Sequence, residues 1–267
     1  MRIIAEAGEN HVGDMQRAVA MVRIAAKSGA DFIKFQSYSV DDLSGGVEAE
    51  VRDWIQRVQL SVDDHYALHE EAKKAGITFL STAVNVHWAN LLREMGCSAV
   101  KLASLSLTNE RLLNYVSGHF DEVFISTGMG DTNEVAKAVD ILGTKPRVTV
   151  LHCVSEYPLP DAHASLRSVT YLQERFALPT GYSDHTIGTT ACIAAAALGA
   201  ELIEKHFTLD KTLEGTDHIL SADPAELAEI VHGCNRVAVQ LGEPGKTPTS
   251  AELDNRGTMR SLFHERP

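Results

Sequence analysis

Polar and ionisable residues follow the short apolar runs of this sequence at regular intervals. If these runs are parallel strands, the residues that follow them meet at one edge of the sheet, because parallel strands end on the same side. The residues at these positions are Glu6, Lys34, Gln36, Ser81, Thr82, Lys101, Ser104, Ser126, Thr127, His152, Tyr157, Ser183, Asp184, His185, Glu204, Lys205 and His206. No hydrophobic pattern requires such a set, and it predicts a binding or catalytic site at that edge.

Two lysines, Lys34 and Lys101, end otherwise apolar runs. Taken singly, each is best explained as a strand-end residue that extends its ammonium group to water. Together with the hydroxyls of Ser104, Ser126 and Ser183, they favour an anion site, since a phosphate or carboxylate is bound by cations and neutral donors in combination.

Two histidines, His185 and His206, end neighbouring predicted strands. Imidazoles on adjacent strands can share one divalent metal and leave positions open for substrate and water. A hydrogen-bonded structural pair is equally compatible with these residues, so both interpretations stay open. Three further histidines are expected near this position, and the others on solvated helices or loops. The first group is His11, His152 and His218; the second is His65, His69, His87, His119, His163, His232 and His264.

Glu6 ends the first predicted strand, where a buried carboxylate needs a partner or a function. The nearby Glu9 and Asp14 are interpreted as surface or cap residues. Serine-hydrolase chemistry has no support, because the sequence contains no GxSxG motif.

Hydrophobic periodicity predicts eight strands that alternate with eight amphipathic helices. The strands are Ile3–Ala7, Phe32–Phe35, Thr78–Ser81, Ala99–Ala103, Val123–Ser126, Val148–Leu151, Thr180–Tyr182 and Leu202–Lys205. The helices are Met15–Lys27, Val62–Ala75, Trp88–Glu94, Glu110–Val116, Asn133–Leu142, Leu166–Phe176, Thr190–Leu198 and Ala225–Leu241. Ser61, Thr108 and Asp223 are the predicted N-caps of three of these helices.

Eight strand–helix units are typical of a (β/α)8 TIM barrel, predicted here over residues 1–242. An open doubly wound sheet is the alternative, but no glycine-rich phosphate loop follows the first strand. Ser37–Leu60 is a long insertion and a possible lid. Residues 243–267 are interpreted as a linker-like tail with a short helix near Ser250–Arg260.

The composition excludes several classes of protein. The 267 residues include 24 Lys and Arg against 36 Asp and Glu, which gives a formal net charge of −12. Nucleic-acid binding needs a cationic face, so no nucleic-acid partner is expected. No apolar stretch is long enough for a signal peptide or a membrane span. The four cysteines are far apart without a CxxC pair, as in reduced cytosolic proteins, and a cytoplasmic location is expected.

The sequence resembles the N-acetylneuraminate (sialic acid) synthase family over nearly its whole length. The motifs that carry the resemblance occur in the family's order. They are Ile4-Ala5-Glu6-Ala7-Gly8-Glu9-Asn10-His11-Val12-Gly13-Asp14, Gly29-Ala30-Asp31, Lys34-Phe35-Gln36, Ser126-Thr127-Gly128-Met129, Leu151-His152-Cys153, Tyr157-Pro158, Gly181-Tyr182-Ser183-Asp184-His185-Thr186, Glu204-Lys205-His206-Phe207-Thr208, Gly215-Thr216-Asp217-His218, Thr247-Pro248 and Asn255-Arg256.

The resemblance implies a TIM barrel that condenses phosphoenolpyruvate with a sugar aldehyde to give a 2-keto-3-deoxy sugar acid. It implies that His185 and His206 hold a divalent metal, usually Mn²⁺, with Mg²⁺ or Co²⁺ as alternatives, and that Glu6 orients or deprotonates a reactant. Tyr157 and Asp217 match positions near the acceptor sugar. The positions that match phosphoenolpyruvate contacts are Lys34, Gln36, Thr82, Lys101, Ser104, Ser126 and Ser183.

Three departures from the family concern the acceptor. Ser106 replaces an acidic residue, and Ser155-Glu156 replaces an asparagine often found there. The sequence ends at Pro267, where family members continue into an antifreeze-like domain that contributes an arginine to a partner subunit. We therefore expect an altered acceptor site and poor use of N-acetylmannosamine. A homodimer and a separate capping-domain protein are possible partners.

Two other functions fit the same residues. One is a different metal-dependent sugar aldolase or isomerase on the same barrel, although a lysine–serine anion site is atypical of an isomerase, which needs more carboxylate ligands for a hard metal. The other is a non-catalytic binding or scaffold protein, against which the joint presence of Glu6, Lys34, His185 and His206 argues.

Overall fold

The computed structural model describes residues 1–262. Its strands are β1 (Arg2–Glu6), β2 (Phe32–Ser37), β3 (Thr78–Ala83), β4 (Ala99–Leu102), β5 (Glu122–Ser126), β6 (Arg147–Cys153), β7 (Thr180–Asp184) and β8 (Leu202–His206). Its helices are α1 (Met15–Lys27), α2 (Ala49–Val58), α3 (Val62–Ala75), α4 (Val86–Glu94), α5 (Glu110–His119), α6 (Thr132–Leu142), α7 (Arg167–Phe176), α8 (Thr190–Ala197), α9 (Pro224–Leu241) and α10 (Ser250–Ser261).

The eight strands form a closed parallel barrel in sequence order, and β1 pairs with β8 to close it. The TIM-barrel prediction is confirmed, and the open-sheet alternative is wrong. The register aligns the ends of neighbouring strands, so that Glu6 lies opposite Lys34 on one side and opposite His206 on the other. Polar residues at the carboxyl ends therefore share one level of the barrel.

Side chains alternate between the barrel interior and the helix layer, because successive residues of a strand point to opposite faces. Outward-facing residues such as Ile3, Ile33 and Ile203 join the large apolar core between strands and helices. A separate layer of seven apolar side chains fills the barrel interior below the polar level. It consists of Ile4, Phe32, Leu80, Ala99, Phe124, Leu151 and Leu202.

Local signals at the helix ends explain most of the boundaries. The Ser61 side chain accepts a hydrogen bond from the Asp64 N–H, and Gly76 ends the same helix in the left-handed conformation. Asp223 caps α9 in the same way, directly before Pro224. The predicted cap at Thr108 is wrong, because the Asn109 side chain accepts from the Leu112 N–H instead.

The β2–α3 segment (residues 38–61) contains a short 3₁₀ helix at Val40–Asp42 and the helix α2. It lies close to the loop that follows β1, since a Cβ added to Gly13 would stand 2.3 Å from the Arg57 carbonyl oxygen. Gly13 also has a φ of +74°, so a side chain there would be doubly disfavoured. Whether this segment acts as a lid stays a prediction.

The short helix predicted near Ser250–Arg260 is present as α10. The division of the chain at residue 242 stays a prediction. None of the helices in residues 1–262 combines the length and hydropathy that crossing a bilayer demands.

Candidate active site

A cavity of about 680 Å³ opens at the carboxyl ends of the strands, where TIM-barrel sites lie. Of the strand-end residues expected at this edge, Ser81, Thr127, His152, Asp184 and Lys205 do not contribute to its lining. All twelve residues to which the sequence analysis assigned a role contribute to it, while those individual roles stay predictions. The twelve are Glu6, Lys34, Gln36, Thr82, Lys101, Ser104, Ser126, Tyr157, Ser183, His185, His206 and Asp217.

Two buried lysines form the floor of the cavity. The Lys34 Nζ atom lies 3.2 Å from the Thr82 hydroxyl and 3.1 Å from a Glu204 carboxylate oxygen. The Lys101 Nζ atom donates to the Ser126 hydroxyl at 2.7 Å and lies 3.4 Å from the other Glu204 oxygen. Both ammonium groups thus project into the barrel interior beside hydroxyl groups, and neither extends to water at the surface.

Glu204, which the sequence placed at this edge without assigning it a role, lies between the two lysines. Burial alone would raise the pKa of its carboxyl group, but the charges of Lys101 and Lys34 outweigh burial and hold that pKa well below its usual range. Its carboxylate also accepts a hydrogen bond from the Ser183 hydroxyl at 2.9 Å. Strand parity places its side chain inside the barrel, because Leu202, Glu204 and His206 share the inner face of β8.

Glu6 is 1% exposed and accepts a hydrogen bond from the Gln36 amide at 2.9 Å. Burial raises the pKa of Glu6 to about 7, against the opposing charge of Lys34. Within the described residues the Oε2 atom of Glu6 has no hydrogen-bond partner, although Lys34 Nζ lies 3.5 Å away. This carboxyl group is therefore able to give or take a proton near neutral pH.

His185 and His206 lie side by side, with ring centroids 5.4 Å apart. The Nδ1–H of His185 donates to the Val154 carbonyl oxygen at 2.7 Å, which leaves Nε2 with a free lone pair. Burial lowers the pKa of His185 to about 4, helped by His206, and that of His206 to about 3, helped by Lys34. Both rings are therefore neutral at pH 7, which is the form that ligates metals.

The donor set fits a divalent metal that takes further ligands from substrate and water. Among residues 1–262, no group of three or more His, Cys, Asp or Glu side chains is arranged as a complete metal site. Two neutral imidazoles are nonetheless available, and the Asp217 carboxylate lies 3.5 Å from the Nδ1 atom of His206. Catalytic metal sites characteristically keep coordination positions open for the reactant.

The residues that line the outer wall of the cavity differ from two expectations, one for Glu9 and one for Ser106. Glu9, interpreted as a surface or cap residue, lines the cavity, whereas Asp14 does cap α1. Ser106 is buried and does not contribute to the lining of the cavity; its neighbour Leu105, 66% exposed, does. The cavity lining is thus apolar at Leu105 and acidic at Glu9.

The remaining histidines do not divide into a group near the site and a solvated group as predicted. His65 is fully buried rather than solvated, because its two ring nitrogens bond to the Ser37 hydroxyl and the Ser61 carbonyl oxygen, each at 2.8 Å. His11, His152 and His218 do not line the cavity. His264 lies outside the described residues.

Comparisons with known proteins agree with this architecture. The NeuB family model matches residues 21–246. The N,N′-diacetyllegionaminic acid synthase of Campylobacter jejuni is 36% identical, over 97% of this chain and 82% of that protein. Human N-acetylneuraminate-9-phosphate synthase is 32% identical, over 94% of this chain and 74% of that protein.

Solved structures show the same likeness. The crystal structure of N-acetylneuraminic acid synthetase from Leptospira borgpetersenii in complex with citrate is similar at a TM-score of 0.91 and 36% identity. The match covers 97% of this chain and 91% of that chain. A truncated 3-deoxy-D-arabino-heptulosonate 7-phosphate synthase from Thermotoga maritima, at 17% identity and a TM-score of 0.70, shares the fold.

Proposed function

The chain belongs to the NeuB family, and we propose that it condenses phosphoenolpyruvate with the aldehyde group of a sugar, forming a 2-keto-3-deoxy acid and releasing phosphate. The observation that carries this proposal is the pair of buried ammonium groups, Lys34 and Lys101, on the floor of a cavity whose lining also includes hydroxyls and imidazoles. A small, doubly anionic donor matches that floor, since each anionic group can face a cation and neutral donors.

The donor would take the deepest part of the cavity. Lys34 and Lys101 would neutralise its phosphate and carboxylate groups, and hydroxyls beside them would donate hydrogen bonds. Glu204 holds the two ammonium groups apart at 3.1 and 3.4 Å from its own oxygens, which supports a fixed spacing between the two anionic groups. The neutral donors are Gln36, Thr82, Ser104, Ser126 and Ser183.

In the reaction, carbon 3 of phosphoenolpyruvate forms a bond to the aldehyde carbon. Carbon 2 then takes up the oxygen of water, and the bond between carbon 2 and the phosphate oxygen breaks as the new carbonyl group forms. In net, the two protons of the water pass to the former aldehyde oxygen, which becomes a hydroxyl group, and to the released phosphate. A divalent metal, proposed to be Mn²⁺ with Mg²⁺ or Co²⁺ as alternatives, would polarise the aldehyde oxygen when bound by His185 and His206. Glu6, with its pKa of about 7, is placed to orient the water or accept its proton.

The acceptor would lie above the donor, nearer the loops. Tyr157 packs on His185 with ring centroids 4.1 Å apart, and Asp217 lies beside His206. These side chains would orient a hydroxylated aldehyde next to the metal ligands. A cytoplasmic location, a homodimer and a separate capping-domain protein, all expected from the sequence, stay predictions.

The test is phosphate release from phosphoenolpyruvate in the presence of Mn²⁺ and a panel of aldoses. The product mass should equal the sum of aldose, phosphoenolpyruvate and water minus phosphoric acid. An isomerase would convert aldoses without phosphoenolpyruvate, and a scaffold protein would bind ligands without turnover. Aldose-dependent phosphate release that disappears in Glu6→Gln, with the exposed Glu50→Gln variant as the matched control, would support the proposal. No phosphate release with any aldose would refute it.

A further inference from the structure

Glu9 contributes a carboxylate to the outer wall of the cavity. The proposed function assigns no role to this carboxylate. It lies in the loop after β1, three residues beyond Glu6, the last residue of that strand. Residues of the strand ends form the floor, so a residue in this loop lies towards the mouth. The carboxylate is thus positioned above the donor site.

Two donors from the β2–α3 region hold the Glu9 carboxylate. The Tyr38 hydroxyl donates to Oε1 and the Trp54 indole N–H donates to Oε2, each at 2.5 Å. Burial, together with the charge of Glu9, raises the pKa of Tyr38 far above its usual value, so the phenol keeps the proton that it donates. Hydrogen bonds to an ionised acceptor are stronger than neutral ones, and this pair fixes the position of a negative charge.

Helix α2, which carries Trp54, also connects Glu9 to the loop that follows β8, the strand next to β1. Trp54, on α2, would be 3.6 Å from a Cβ added to Gly215, in the loop that follows β8. That loop carries Asp217, a second carboxylate in the cavity lining. The mouth is therefore acidic on the side of β1 and β8, while the cations that line the cavity lie on its floor.

The cavity below this wall retains capacity for a ligand. Glu6 is 1% exposed, lines the cavity, and keeps one carboxylate oxygen without a hydrogen bond among the described residues. An uncharged polyol or N-acylamino sugar supplies the hydroxyl or N–H donors that such carboxylates accept. A phosphate group in the same place would meet fixed negative charge.

We propose that the acidic wall formed by Glu9 and Asp217 selects an uncharged aldose as acceptor and disfavours sugar phosphates. Glu9 is the residue that determines this selectivity. The inference rests on the proposed function, because it names the class of acceptor for the same site. Glu9 acts through charge and hydrogen bonding on the acceptor, and it takes no part in the bond-forming step.

The experiment measures kcat/KM for matched pairs of acceptors, such as N-acetyl-D-mannosamine and D-mannose, each with its 6-phosphate. The wild-type protein should prefer the uncharged member of each pair. Glu9→Gln should reduce that preference by about tenfold through better use of the phosphate, because one fixed negative charge is removed. The KM for phosphoenolpyruvate should not change, and Glu50→Gln, at an exposed position of α2, should behave as the wild type.

A measurement on the wild type alone covers the case in which Glu9→Gln fails to fold. Raising the salt concentration should narrow the gap between each sugar and its phosphate, because salt screens charge repulsion at the open mouth. A preference for sugar phosphates, or a ratio unchanged by both Glu9→Gln and salt, would overturn this inference while leaving the proposed function intact. No phosphate release with any acceptor would instead contradict the proposed function, and this inference with it.

Discussion

Neighbouring residues of β7 and β8 carry buried charges on opposite faces of the barrel wall. On the outer face, Asp184 and Lys205 are fully buried and form an ion pair at 2.7 Å. Asp184 also accepts hydrogen bonds from the Tyr182 hydroxyl at 2.9 Å and the Thr186 N–H at 2.9 Å. The Lys205 ammonium group donates as well to the Thr186 carbonyl oxygen. This outer cluster is saturated with partners from the protein.

The inner face differs because some of its buried polar atoms have no hydrogen-bond partner among the described residues. Within residues 1–262, one carboxylate oxygen of Glu6 and the Nδ1 atom of His206 lack a hydrogen bond. These atoms surround a cavity, whereas the outer cluster is closed by helix α8 through Cys192. Burial of charge alone does not mark a functional site. Unsatisfied partners beside an open space distinguish a ligand site from a structural ion pair.

The largest expected effect is the loss of the inner imidazoles. His185→Ala or His206→Ala should lower kcat/KM by roughly three orders of magnitude, the scale seen when charge stabilisation in the transition state is removed. The fold should persist, because both rings face the cavity. Steady-state kinetics with Mn²⁺ titration tests this, with the exposed His232→Ala as control. Full activity of thoroughly metal-stripped wild-type protein would show that the imidazoles do not serve a metal.

The next effect is a difference in the free energy of unfolding between a variant of the outer face and a variant of the inner face. Lys205→Met should lower the free energy of unfolding by about 3–5 kcal/mol, since it leaves the Asp184 carboxylate buried and unpaired. Lys101→Met should cost much less, because Lys34 still faces Glu204 at 3.1 Å. Urea denaturation monitored by circular dichroism measures both. Equal stability of the two variants would abolish the distinction between a saturated outer pair and an unsaturated inner site.

Removing one inner cation should weaken donor binding. Lys34→Met or Lys101→Met deletes a charge-assisted contact worth about 1.5–3 kcal/mol, so the Kd for phosphoenolpyruvate should rise about tenfold or more. Isothermal titration calorimetry measures this directly, with the exposed Lys74→Met as the matched control. If both cavity variants bound phosphoenolpyruvate as the wild type does, the floor would not be the anion site.

The smallest effect concerns His65, a buried imidazole in an uncharged cluster outside the cavity. Burial lowers the pKa of His65 below its ordinary value of 6.5. The unfolded chain therefore takes up a proton at higher pH than the folded protein, and stability from this residue is present above pH 6.5 and is lost as pH falls. His65→Gln should reduce the free energy of unfolding at pH 7 by about 1–2 kcal/mol, through lost hydrogen bonds.

That deficit should shrink as pH falls below 6.5, because the wild type loses stability from His65 in this direction. Thermal melts of both proteins across this range provide the measurement, and the exposed His232→Gln variant should parallel the wild type. A deficit that is constant with pH would mean that His65 contributes packing alone.

The sequence predicted the barrel and most of the twelve site residues from local patterns, whereas Asp217 was named only through the family resemblance. Strand–helix alternation sets the closure, and position at a strand end sets the level of a side chain in the barrel. Glu204 was placed at the strand-end level but given no role, although its parity with Leu202 on β8 indicates an inward side chain. Glu9 was misplaced because its partners, Tyr38 and Trp54, lie 29 and 45 residues away in the sequence. The prediction that His65 is solvated was wrong for the same reason, since Ser37 contacts His65 only in the folded chain.

The apolar layer that fills the barrel interior below Lys34 and Lys101 has a kinetic consequence. This layer, which includes Phe32, Phe124 and Leu202, closes the cavity on the amino-terminal side of the strands. Substrates therefore reach the lysines from the loop side, past Tyr157 and Asp217. An acceptor seated at those loops would obstruct the path of the donor, so the proposed function entails compulsory ordered binding with phosphoenolpyruvate first. In such a mechanism an unreactive acceptor analogue inhibits uncompetitively against phosphoenolpyruvate, because it binds only after the donor has entered.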